Sequence, residues 1–77
     1  MTKVLFTLSN NMFLGLYLDR LEADKVRKIV AKKMCKDITL SNGVTLSFEY
    51  GCRIKVTDNK SRVAVDSTYT GFSCEDK

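Results

Sequence analysis

A chain of 77 residues with 44% hydrophobic and 29% charged side chains makes one small globular domain, with room for one sheet face under one helix and little for an enclosed substrate cavity. It has no histidine and three widely spaced cysteines, which sets aside His-based acid–base, nucleophilic and zinc chemistry. The net charge of +4 is local: seven bases and two acids lie between Arg20 and Lys36, against six bases and seven acids elsewhere.

In chain order, KVLFTL and MFLGLY flank Ser9-Asn10-Asn11. A three-residue loop there places Leu8 opposite Met12, Phe6 opposite Leu14 and Val4 opposite Leu16, all on one side. Asparagine tolerates the left-handed backbone that such a loop needs. Leu5, Phe13 and Tyr17 then share the other side. A competing reading starts a long helix near Asn11, but Gly15 disfavours it. The same polar loop interrupts any leader-like apolar run, and no small-residue cleavage site follows. The run is also shorter than the ~18 apolar residues of a membrane span. A soluble, cytoplasmic protein with reduced cysteines is expected, Cys74 being the most exposed thiol.

Asp19 followed by Glu22 predicts a capping box and a helix start. At helical spacing Ala23, Val26, Ile29, Val30 and Met34 fall on one face, with Lys33 at its edge. Lys25, Lys28, Lys32 and Lys36 form a stripe well away from it. Beyond the helix, Ser41-Asn42-Gly43 as a three-residue loop pairs Leu40 with Val44 and Ile38 with Leu46. Gly43 supplies the left-handed residue, and Phe48 and Tyr50 continue the inner face. CRIKVT and RVAVDS around DNKS put Val56 opposite Val63, Ile54 opposite Val65 and Arg53 opposite Asp66. TYTGF adds a short edge strand or covers the open sheet face, and residues 73–77 fray. The expected fold is α+β: a single domain, 1–77, with an antiparallel sheet of about five strands (ββαβββ) and one amphipathic helix packed on one face.

The acids are spread one per element, and no Gly-rich phosphate loop is present. No catalytic residue, cofactor or metal is therefore expected, and the chain is expected to act by binding. Leu5, Phe13 and Tyr17, gathered where one helix cannot reach, form a candidate contact surface for a protein partner or a second copy of the chain. The lysine stripe Lys25, Lys28, Lys32 and Lys36 has two readings. It is the wet face that any covering helix requires, or it holds phosphates of a nucleic acid in a salt-dependent, sequence-indifferent way. The leading expectation is a small inhibitor or adaptor, of the kind viruses and mobile elements direct at host nucleic-acid-handling machinery. A nucleic-acid-binding regulator is the alternative.

Overall fold

The computed structural model describes residues 1–76, with elements in the order ββαββββ. They are β1 (Thr2–Leu8), β2 (Phe13–Leu18), α1 (Arg20–Lys32), β3 (Lys36–Thr39), β4 (Thr45–Glu49), β5 (Arg53–Thr57) and β6 (Val63–Asp76). All pairings are antiparallel, in one sheet of six strands ordered β2-β1-β6-β5-β4-β3. The α+β class is as expected, with six strands in place of about five, because three short connections after the helix separate four strands.

Both predicted three-residue loops form. Leu8 N–H donates to the Met12 carbonyl at 2.8 Å and Asn11 adopts φ 64°, which gives Val4↔Leu16 and Phe6↔Leu14. Leu40 N–H donates to the Val44 carbonyl at 2.7 Å, Gly43 takes φ 88°, and Ile38 pairs with Leu46. A side chain at Gly43 would be strained twice, since its Cβ would also lie 3.0 Å from Asn59 Cβ. The capping box is complete: Glu22 N–H donates to Asp19 Oδ1 at 2.7 Å, and Asp19 N–H to Glu22 Oε1 at 3.3 Å. At the far end Lys33 takes φ 52°, and Met34 N–H reaches back to the Ile29 carbonyl at 3.0 Å. Lysine thus stands where glycine is the usual helix terminator.

The C-terminal third differs most from expectation. TYTGF is neither an edge strand nor a cover; it continues β6, a strand of 14 residues between β1 and β5 at the centre of the sheet. Residues 73–76, expected to fray, pair with Thr2–Leu5; Lys77 lies outside the described residues. β6 carries two irregularities. One, near Ala64, shifts the partners to Val56↔Val65 and Ile54↔Ser67, so Val63 faces Thr57 and is 52% exposed. The other, near Thr70, reverses the alternation: Tyr69 faces Leu8 while Phe72 faces Phe6. Cys74 consequently packs against the core, and Cys35 is the exposed thiol. Tyr50, expected inside, lies beyond the end of β4 and is 87% exposed, and Met12 sits exposed at the hairpin tip.

The core gathers Val4, Phe6 and Leu8 from β1, Leu18 from β2, Ala23, Val26 and Ile29 from α1, and Leu46, Phe48, Ile54 and Val56 from β4 and β5. Phe6 is its hub, fully buried, with ring centroids 5.1 Å from Phe72, 5.2 Å from Tyr69 and 6.1 Å from Phe48. β1 and β4 are separated by β6 and β5. In a flat sheet that places them roughly 14 Å apart, at about 4.8 Å per strand. Contact between Phe6 and Phe48 therefore requires the sheet to curl around its helix-bearing face.

Phe6→Ala is expected to cost roughly 3–5 kcal/mol, seen as a lower urea midpoint with loss of near-ultraviolet signal. A second expectation concerns the β5–β6 turn. Asp58 accepts from the Arg62 and Lys60 N–H groups at 2.9 Å each, and from Arg62 Nε at 3.3 Å. The Arg62 N–H is the main cause holding this carboxyl below its ordinary range, joined by the Lys60 N–H and opposed by partial desolvation. A lowered folded pKa stabilises above the unfolded value and is lost as pH falls through the folded one. The stability difference between wild type and Asp58→Asn should thus be full at neutral pH and shrink toward zero in strong acid, as followed by thermal melts across pH.

Candidate functional site

Two surfaces carry the residues singled out by the sequence, and the curl of the sheet assigns them different positions. The first is the outer face of the β2 edge. Even-numbered residues of β2 bond to β1, because the Leu8–Met12 hydrogen bond sets the phase of the antiparallel alternation. Phe13, Gly15 and Tyr17 therefore turn their N–H and C=O groups to the open edge. Their side-chain positions lie on the face that α1 does not cover. Phe13 is 66% exposed and Tyr17 57% exposed. Leu5, half-buried on the neighbouring strand, sits opposite Gly15, with its Cδ1 3.8 Å from where a Cβ of Gly15 would be. The three predicted residues do share one patch: two aromatic flanks and a leucine filling the gap that the glycine leaves. β2 has no charged residue from Phe13 to Leu18.

Across the rest of that face the chemistry changes to Lys55, Asp66, Arg53 and the Ser and Thr residues between them. Arg53 and Asp66 form the expected ion pair at 2.5 Å, though as diagonal neighbours, since Arg53 lies opposite Thr68 and Lys55 opposite Asp66. The hydrogen bond to Asp66 is the main reason the Arg53 guanidinium is held even more firmly in its charged form.

The second surface is the lysine cluster, and here one placement differs from expectation. Lys36 is not on the helix. The helix ends at Lys32, and Lys36 opens β3. The chain nevertheless returns it to the others: Lys25, Lys28, Lys32 and Lys36 surround a surface concavity of about 200 Å³ whose floor is Ile29, Met34 and Ile38. None of the four lysines is in an ion pair among the described residues. The concavity runs between α1 and β3, the other edge strand. The helix is tied to the far end of β3 by Glu22, whose Oε2 accepts from Ser41 N–H at 2.8 Å. Lys25 therefore lies toward Leu40, and Lys32 toward Lys36. Sequence periodicity found the four lysines and grouped Ile29 with Met34, but it put Met34 on the helix and the lysines well away from that face. Met34 lies past the helix end and Ile38 on β3, so the floor between the lysines forms only after the chain reverses.

A third cluster lies beneath the β4–β5 turn, where Lys33, Met34, Tyr50, Cys52 and Tyr69 line a concavity of about 260 Å³. Burial, and then Cys52, push the Tyr69 hydroxyl above its usual value, which keeps it protonated at neutral pH. Among the described residues no three His, Cys, Asp or Glu side chains come together as a metal-binding group, and no helix is long and apolar enough to cross a membrane. Comparison with protein-family models, curated proteins and solved structures finds no match to this chain.

Because Phe13 and Tyr17 are exposed, replacing both with serine is expected to lower stability by no more than about 1 kcal/mol each, the scale of strand propensity alone. Urea denaturation checks this. A collapse of the fold in the double variant would mean that the patch supports the domain and is not available to a partner.

Proposed function

We propose that this protein is a non-enzymatic binding module, an inhibitor or adaptor that engages a protein partner through the β2 edge and the aromatic patch beside it. One observation carries the reading: β2 is a six-residue edge strand with no charge, no proline and no bulge, and Phe13 and Tyr17 are exposed along it. Natural edges are usually blunted with lysine, proline or a bulge to prevent unwanted pairing. The opposite edge is chemically different: β3 has four residues and carries Lys36 and Asp37, charges that disfavour an uncharged strand. An unprotected edge beside aromatic anchors is suited to strand addition, in which main-chain hydrogen bonds supply affinity and side-chain pockets supply selectivity.

The lysine concavity favours a second reading, a nucleic-acid-binding regulator, since four lysines that are in no ion pair among the described residues can follow phosphates. It supplies no arginine, asparagine or glutamine to read bases and no aromatic side chain for stacking, so any such binding would be indifferent to sequence.

The two readings separate in one capture experiment on the tagged chain, with and without nuclease. Protein capture that survives nuclease, is lost in Phe13→Ser/Tyr17→Ser and persists in Lys28→Glu/Lys32→Glu is the expected result. In the captured complex, hydrogen exchange should slow at the amides of Phe13, Gly15 and Tyr17. Capture that is abolished by nuclease and by the lysine reversals, with the β2 amides unprotected, would replace the first reading with the second.

A further inference from the structure

We infer that the lysine-ringed concavity and the open edge of β3 together form a binding site for an extended acidic peptide segment, added to the sheet as a seventh strand. This site is separate from the β2 patch and does not depend on the reading given for it.

The first support is the direction of the backbone groups. Leu40 bonds to Val44 across the β3–β4 loop, N–H to carbonyl at 2.7 Å. In the antiparallel alternation Ile38 and Lys36 then also bond to β4, and Asp37 and Thr39 turn their N–H and C=O groups outward. A strand laid against β3 finds those groups ready to pair. Its alternate side chains project over the concavity, where Ile29, Met34 and Ile38 provide an apolar floor between the lysines.

Charge complementarity then defines the occupant. On the helix side the segment meets Lys25, Lys28, Lys32 and Lys36, with no competing ion pair among the described residues. On the outer side it meets Asp37 and Thr39. Acids are therefore favoured on one face only. The distances agree as well. Lys25 and Lys32 are seven helical residues apart, roughly 10 Å along the axis. Two residues four apart on a strand are separated by roughly 13 Å, within reach of flexible lysine side chains. A segment of the form glutamate, threonine, leucine, threonine, glutamate fits: both acids flank the concavity, the leucine covers its floor and the threonines lie beside Asp37 and Thr39. A polynucleotide would satisfy the lysines but has no use for the apolar floor or for the strand's N–H and C=O groups. A peptide uses all three.

The test is fluorescence anisotropy of the full chain with a labelled peptide carrying that pattern. Three comparison probes accompany it: the same composition rearranged so that acids fall on both faces, the patterned peptide N-methylated at alternate amides, and a single-stranded oligonucleotide. The expected result is saturable binding of the patterned peptide, weakened by salt and at least about tenfold weaker for the rearranged and N-methylated forms. A similar loss is expected in Lys28→Glu/Lys32→Glu, since like charges then face each other. The N-methylated arm uses the unmodified protein, so it decides the question even where the lysine variant fails to fold. Equal binding of the patterned and rearranged peptides, tighter binding of the oligonucleotide, or no saturable binding of the patterned peptide would each overturn the inference.

Discussion

The structure depends on the burial of Phe6 against Phe72, Tyr69 and Phe48. These rings come from β1, β6 and β4, and Phe48 reaches Phe6 only because the sheet bends. A domain this small buries a modest fraction of its surface, so one aromatic cluster is a large part of its core. The bend has a geometric consequence. It wraps the sheet around α1 and brings β3 alongside the helix at Ile38 and Ile29, while the convex face remains uncovered. Both candidate surfaces result from that one curvature: the lysine concavity where an edge closes on the helix, the aromatic patch on the side that no element covers.

The two edges are chemically unlike, and the difference follows from their neighbours in sequence. β2 is the second half of a hairpin whose inner face must be apolar, and its outer face is apolar as well, which leaves it without a charge over its whole length. β3 follows the basic end of the helix and begins with a lysine and an aspartate. A partner approaching β2 meets apolar contacts; one approaching β3 first feels a positive field. The chain thereby separates two surface chemistries within a body of 27 × 27 × 22 Å.

Local signals were legible where one physical cause dominated. Asp19 with Glu22, Ser9-Asn10-Asn11 and Ser41-Asn42-Gly43 each specify backbone geometry within a few residues, and the helix start and both hairpin registers could be read from them. The patch of Leu5, Phe13 and Tyr17 followed from simple alternation. β6 was not legible, because its two irregularities interrupt the period: the inward residues run Val65, Ser67, Tyr69 and then Phe72, Cys74. A three-residue step around Thr70 and Gly71 resembles a turn when only neighbours are considered. Lys36 was misplaced for a related reason. Helical periodicity continues on paper past Lys32, while the left-handed backbone at Lys33 ends it. The grouping of four lysines survived that error, because the reversal places Lys36 beside the same helix face.

The central position of β6 has a consequence for how the molecule comes into being. β1 and β2 are made first and β6 after every other strand, yet β6 lies between β1 and the rest of the sheet. The N-terminal hairpin can pair with itself early, but Phe6 lacks its neighbours Phe48, Tyr69 and Phe72 until those residues have been synthesised. Contacts so distant in sequence close slowly. During that interval the hairpin presents an unpaired β1 edge in addition to the permanently open one at β2. Until β6 arrives the nascent chain is most adhesive at this hairpin, and the last strand of the sheet covers one of its two edges.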